Sequence, residues 1–170
     1  MTPIKTERLI IRQVTEDDAA FIMTLYNEPT FIQGVGDRGV SSLALARQYI
    51  NEFIIKSYAE NGYGSFLIVL KGCNTPIGVC GLLKRDYRED VELGYGLVYK
   101  YWSKGYAIES CQAVLNFGVE ALGLSEFIAV TSLDNNASIK TLERLDFKFE
   151  TVEKLAEYDD ESKLFRLVKL

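Results

Sequence analysis

Between Ser65 and Thr131 the hydrophobic period changes twice, and that pattern limits the architectures open to the chain. Ser65 to Leu70 is an apolar run of strand length, Lys71 to Pro76 is a turn, and Ile77 to Lys84 is the next strand. A charged turn from Arg85 to Asp90 leads to a further strand, Val91 to Tyr99. The period then becomes helical. Ala107, Cys111, Val114, Leu115, Gly118 and Leu122 form the buried stripe of a helix from Tyr106 to Leu122, and Gly123 is its stop. Phe127 to Thr131 returns to strand. Short turns make adjacent strands antiparallel, whereas the strand–helix–strand unit predicts one parallel crossover.

The flanks extend this pattern. Thr6 to Val14 reads as a single opening strand, and Thr15 with the acidic residues after it caps a short helix from Ala19 to Asn27. Glu28-Pro29 ends that helix. Phe31 to Gly39 holds Gly34, Gly36 and Gly39 and reads as loop. Ser41 or Ser42 caps a longer helix to about Asn61, with Leu43, Ala46, Ile50, Phe53 and Ile54 as its apolar positions and Gly62 as its stop. Ser138 to Leu145 is a helix, and two terminal strands lie around Phe149 and Phe165. The order βααβββαβαββ predicts one mixed α/β domain over residues 1–170, a mostly antiparallel sheet of about seven strands with four helices.

Composition removes many chemistries. With 0 histidines in 170 residues, Ser-His-Asp triads, Cys-His pairs and His-ligated metals are excluded. Cys73, Cys80 and Cys111 have no metal-binding spacing, so no metal is expected, and they read as free thiols of a reducing compartment. A net charge of −5 disfavours nucleic acid as a partner and mildly suits a cationic one. No apolar stretch has the length of a membrane span, and the first residues lack a signal-peptide pattern, so the expected place is the cytoplasm, with no membrane partner. Acid–base work falls to carboxylates, Tyr, Lys, Cys, Ser or water.

Two segments carry candidate chemistry. Gly105-Tyr106-Ala107 opens a helix, where unpaired amides and the helix dipole form an anion cradle suited to a pyrophosphate, and Lys104 adds a charge. A plain loop-to-helix turn is the more frequent use of such a sequence. Leu133 to Ile139, with Asp134, Asn135, Asn136 and Ser138, is rich in capping and turn residues and reads as a structural cap on physical grounds alone. Neither the dinucleotide fingerprint nor the P-loop pattern is present.

Taken together, four segments resemble the GNAT acetyltransferases of the RimJ/RimL-like group. They are Thr6-Glu7-Arg8-Leu9-Ile10-Ile11-Arg12, Val91-Glu92-Leu93-Gly94-Tyr95, Trp102-Ser103-Lys104-Gly105-Tyr106-Ala107-Ile108-Glu109 and Asn136 to Phe147, in family order over nearly the whole chain. Ser103 and Asp146 stand where that group commonly has Gly. The resemblance implies the GNAT fold, a cytoplasmic enzyme, and acetyl-coenzyme A as acyl donor. It implies that the strands Val91–Tyr99 and Phe127–Thr131 splay and admit the pantetheine arm. Leu97, Val98 and Tyr99 would pair with that arm through their backbone, and Asn136 would contact it. Trp102, Lys104, Gly105, Tyr106, Ala107 and Ile108 would take the pyrophosphate end.

The implied reaction is direct transfer of acetyl to an amine in a ternary complex. An α-amine titrates near ~8 and a Lys side chain near ~10.4, so a carboxylate acting through water suffices for the former. Glu92, on the strand before the cradle, is the candidate base, with a solvent-facing charge as its bland alternative. Ser138 is the candidate proton donor to the leaving thiolate, as the resemblance suggests, or else only an early helix residue. Backbone amides from Leu97 to Tyr99 would face the developing oxyanion. Tyr26, Glu28, Phe31 and Asp37 are candidate acceptor-lining groups. The acceptor is a protein N-terminus, or alternatively a small-molecule amine. A non-catalytic acyl-CoA sensor is the reading from another class. Either a monomer or a homodimer is compatible with the sequence.

Overall fold

The computed structural model describes residues 1–154 and 160–169. The strands are β1 (Ile4–Lys5), β2 (Leu9–Gln13), β3 (Ser65–Leu70), β4 (Thr75–Lys84), β5 (Val91–Leu97), β6 (Glu126–Ser132), β7 (Lys148–Lys154) and β8 (Glu161–Val168). They form one eight-stranded sheet in the order β1-β2-β3-β4-β5-β6-β8-β7. All neighbouring pairs are antiparallel except β5 with β6, the expected crossover. The extra strand comes from the opening segment, which turns at Thr6 rather than running straight. There the Thr6 amide donates to the Leu9 carbonyl, and its hydroxyl accepts from the Leu9 amide at 3.0 Å.

The helices are α1 (Ala19–Tyr26), α2 (Pro29–Val35), α3 (Leu43–Tyr49), α4 (Lys56–Asn61), α5 (Tyr106–Leu122) and α6 (Asn136–Arg144). α2 corrects the sequence reading, which took most of this segment as loop. Pro29 sits in the first helical turn, where its missing N–H costs nothing, and the glycines that suggested a loop end the helix at Gly36, φ 97. α3 and α4 are joined by a π-helical turn, Ile50–Ile55. Ala46, Ile50 and Ile54 are buried along this path, but Leu43 and Phe53 are exposed, against expectation. Leu43 opens α3 beside its cap Ser42, and Phe53 lies within the π turn, whose i→i+5 bonding shifts the helical period.

Two cores sandwich the sheet. On one face α5 and α6 bury Cys111, Val114, Leu115 and Leu142 against Leu9, Phe66, Leu82, Leu93, Phe127 and Phe165. On the other, α1 to α4 bury Ile22, Leu25, Ile50 and Ile54 against Leu67, Val69 and Val79. Period-two alternation along β5 divides its side chains between them. Leu93, Tyr95 and Leu97 join the α5 side, and Glu92, Gly94 and Gly96 face the other way. Gly96 is required there: a Cβ would lie 2.5 Å from the Phe31 ring, which α2 lays across the strand.

Candidate functional site

β5 and β6 share a single bridge, Glu92 with Ile128. β5 continues to Leu97 and β6 to Ser132 without further ladder pairing between them. The Val98 amide donates to the Ile77 carbonyl at 2.9 Å, so that residue faces β4. Alternation then turns the Leu97 amide, and both backbone groups of Tyr95, toward the gap beside β6. The Leu97 carbonyl accepts from the Trp102 indole N–H at 2.8 Å. The Tyr99 amide donates to Glu28 Oε2 at 3.1 Å. Of the expected run Leu97–Tyr99, the Val98 and Tyr99 amides are therefore already engaged. The Leu97 amide is the member directed into the gap, joined by Tyr95, which sequence reasoning missed.

At the end of β5 the chain makes a short 3-10 turn, Tyr99–Tyr101, and then reaches the start of α5. Ser103 and Gly105 both take left-handed conformations, φ 58 and φ 82. Ser103 thus holds a left-handed backbone of the kind that favours glycine. The Glu109 amide bonds the Gly105 carbonyl at 3.1 Å. This closes the first helical turn and leaves the amides of Tyr106, Ala107 and Ile108 without helical acceptors. Arg8, far away in sequence, also reaches this point. Its guanidinium donates to the Lys104 carbonyl at 2.9 Å, pairs with Glu109 at 2.7 Å and lies 4.4 Å from the centre of the Tyr106 ring. The lone hint in the sequence was the acidic residue in the first turn of α5. Burial raises the Glu109 carboxyl, but hydrogen bonds from Thr6 and Arg8 outweigh it and hold the group below its ordinary range.

The closed end of the gap has different groups on its two faces. Toward α1 and α2, Glu92 is 7% exposed and accepts from Arg85 through both oxygens, at 2.9 and 3.1 Å. By strand alternation it shares that face with Gly94 and Gly96. Toward α5 and α6, the Tyr95 hydroxyl lies 3.0 Å from Ser138 Oγ. Burial pushes the Tyr95 phenol well above its usual range. In the register begun at Glu92 and Ile128, Tyr95 is level with Thr131 of β6. Thr131 Oγ1 is buried without a hydrogen-bond partner among the described residues. Asn135, rather than Asn136, caps α6, accepting from the Ser138 amide at 3.1 Å. Asn136 is the exposed first residue of the helix.

The expected acceptor-lining residues fall in three settings. Tyr26 is 5% and Phe31 4% exposed, and their rings stack at 4.5 Å in the core beneath α1 and α2. Glu28 ties the start of α2 to the end of β5 through Tyr99. Asp37 accepts from the Gly39 amide at 2.8 Å and shapes its own loop.

These features, an unzipped parallel pair followed by a helix start with open amides, can be compared with known proteins. Residues 8–148 match the family model described as an acetyltransferase (GNAT) domain. The chain belongs to the GNAT acetyltransferase family. It is 32% identical over 155 residues to the uncharacterized N-acetyltransferase YoaA of Bacillus subtilis, covering 89% of this chain and 86% of that one. RimL, a ribosomal L7/L12 α-N-protein acetyltransferase solved with coenzyme A, shares the fold at TM-score 0.84 and 21% identity, with 98% of each chain covered. So does the ribosomal-protein-S5-alanine acetyltransferase of Vibrio fischeri, at TM-score 0.84 and 18% identity, covering 99% of this chain and 97% of that one.

GNAT acetyltransferases use acetyl-CoA, and the residues present here fit it. The unpaired backbone edge of β5 suits the amides of a pantetheine arm. The open amides of α5 beside Lys104 and Arg8 suit its phosphates, and the orphaned Thr131 hydroxyl marks a polar demand at the gap. Among the described residues no group of His, Cys, Asp or Glu is placed to hold a metal, and no helix is long and apolar enough to cross a membrane.

Proposed function

We propose that this GNAT acetyltransferase moves acetyl from acetyl-CoA directly to the α-amine of a protein N-terminus. The observation that carries the reading is the arrangement around the closed end of the β5–β6 gap. A buried carboxylate, Glu92, faces one side of the sheet, and a hydroxyl pair, Tyr95 and Ser138, faces the other. Amine activation and leaving-group stabilisation thereby fall on opposite faces of one strand. Acetyl-CoA, when bound, supplies the activated thioester. The amides of Tyr106, Ala107 and Ile108, with Lys104, hold its phosphates. Trp102 fixes the end of β5, Asn136 stands at the start of α6, and the Leu97 amide faces the arm. Glu92 accepts a proton from the amine through water, keeping two lone-pair positions beyond those used by Arg85. Ser138 faces the departing sulfur.

A carboxylate is a sufficient base for an α-amine that is already partly neutral near pH 7, and a poor one for a Lys side chain. The whole-chain fold shared with RimL and the ribosomal-protein-S5-alanine enzyme supports a protein acceptor. The net charge of −5 suits a cationic one. The test is mass spectrometry of peptides with free or blocked α-amines, amino acids and polyamines, each incubated with acetyl-CoA. Acetyl on the free α-amines alone is the expected result. Acetylated polyamines or amino acids would move the acceptor to small molecules, and coenzyme A binding without any transfer would overturn catalysis.

Glu92→Gln should lower turnover about 100-fold or more, the lower range of general acid–base contributions. The new amide can still accept from Arg85, so the fold should persist. Raising the pH should restore part of the rate, because hydroxide then deprotonates the acceptor. Wild-type turnover from pH 6 to 9 would leave Glu92 as the structural partner of Arg85.

A further inference from the structure

The hydroxyl of Tyr95 is a buried group that the sequence did not mark and whose own part beside Ser138 is not yet assigned. It comes from the middle of β5, at the point where the strand leaves β6. Its ring packs in the core under α5, and its oxygen reaches across to the first turn of α6, 3.0 Å from Ser138 Oγ. Ser138 is fixed on the same turn, its amide held by the Asn135 side chain at 3.1 Å. Thr141, one turn further along α6, also faces the phenol. Its own proton is committed to the Ala137 carbonyl at 2.9 Å, so toward Tyr95 it presents only an acceptor.

A phenol has one proton to give and a serine hydroxyl has one. If Ser138 spends its proton on Tyr95, none is left for the gap. If Tyr95 donates to Ser138, the serine proton is released toward the gap. An anion at the gap selects the second arrangement, since a hydrogen bond to a charged acceptor is about twice as strong as a neutral one.

We propose that Tyr95 is a positioning residue that donates to Ser138 Oγ and so directs the Ser138 O–H at the coenzyme A sulfur, where the pair stabilises the thiolate by hydrogen bonding without transferring a proton. The proposal rests on the acetyl-transfer reading above. As the amine nitrogen bonds the acetyl carbon, the carbon–sulfur bond breaks and its electron pair stays on sulfur. The proton lost by the amine passes through Glu92 and water to solvent. The thiolate, with a free-solution value near ~8.5, then meets solvent protons on release. Proton transfer from the hydroxyls is unfavourable: burial holds the Tyr95 phenol far above the thiol, and an unassisted serine hydroxyl is a weaker acid still. The pair therefore acts through two aligned O–H bonds.

Two measurements on Tyr95→Phe, Ser138→Ala and the double variant test this. The first needs no turnover: titrate the thiol of enzyme-bound coenzyme A by its ultraviolet thiolate absorbance. The wild-type protein should hold the thiol below ~8.5, and each single substitution should raise the bound value by about one unit, a tenfold change in ionisation. The second is turnover at saturating acetyl-CoA. Tyr95→Phe should lower kcat about tenfold with little change in KM for acetyl-CoA, and Ser138→Ala should lower it at least as far. The double variant should fall no further than Ser138→Ala, because the two hydroxyls act as one unit. The phenol stays protonated throughout, so the Tyr95→Phe deficit should be constant from pH 6 to 9. A bound thiol value unmoved by Tyr95→Phe, or losses in kcat that multiply in the double variant, would overturn the proposal. A protein that shifts the bound thiol as expected yet acetylates no amine would instead count against the acetyl-transfer reading.

Discussion

At the scale of single residues, Asp146 shows what the fold demands and the side chain resists. It follows α6 at φ 68. The Phe147 amide bonds the Leu142 carbonyl at 3.0 Å and the Asp146 amide bonds Glu143 at 3.1 Å, the paired pattern of a Schellman helix end. Leu142 and Phe147 are buried together beneath it. A left-handed backbone costs a side-chain-bearing residue about 1–2 kcal/mol, and a carboxylate at a helix C-terminus opposes the helix dipole. Glycine removes both costs but adds about 0.4–1 kcal/mol of unfolded-state entropy. Asp146→Gly should therefore stabilise by about 1 kcal/mol and raise Tm by about 2–4 °C, measured by thermal melting. A lower Tm would mean that the Asp side chain has a favourable role at this turn. The sequence marked Asp146 and Ser103 only as departures from a pattern. Their positive φ values, 68 and 58, show that both side chains sit on backbone that glycine adopts at lower cost.

At the scale of elements, α5 was legible to its last residue, because a continuous apolar stripe and a terminal glycine are both local signals. α2 was not, since three glycines in a short segment imitate a loop and only tertiary packing against Gly96 makes the helix worthwhile. The capping residue of α6 lay one position from a plausible alternative, and hydrogen-bond geometry decides between Asn135 and Asn136. The groups around the gap were the least legible. Arg8 reaches Glu109 over 101 residues and Tyr95 reaches Ser138 over 43, and no local period encodes such contacts. At the start of α5, Gly105 has φ 82, and a Cβ there would lie 3.2 Å from the Arg8 guanidinium. Gly105→Glu should strain the turn and place a carboxylate among the phosphate-facing amides. Calorimetry should show coenzyme A affinity reduced about tenfold or more, since the anion now competes for the dipole and disturbs Arg8. Unchanged affinity in a folded variant would place the phosphates elsewhere.

At the scale of the whole molecule, the sheet is nearly two sheets. β1 to β5 and β6 to β8 are zipped internally, yet one bridge joins them. The halves are otherwise held by α5, which packs on β4 and β5 before the chain enters β6, and by a clasp from the β4–β5 loop. In that clasp Asp90 pairs with Arg166 of β8 at 2.7 Å, and Arg88 pairs with Glu153 of β7. A donor bound along the β5 edge would supply hydrogen bonds that the missing ladder does not, so its binding should report on global stability. Coenzyme A at a hundredfold excess over Kd should stabilise the native state by about 2.7 kcal/mol. For a chain of this size that is a rise in Tm of about 5–10 °C. Hydrogen exchange should show where the effect originates. The Tyr95 and Leu97 amides, directed at the gap, should gain protection on binding. The Val98 amide, already bonded to Ile77 at 2.9 Å, and the Tyr99 amide, held by Glu28 at 3.1 Å, should change only with the global opening. Equal gains at all four amides would mean that coenzyme A stabilises the molecule without running along β5. Protection at Val98 and Tyr99 alone would mean that Glu28 and Ile77 give way to the donor, and that the gap opens by rearranging its own mouth.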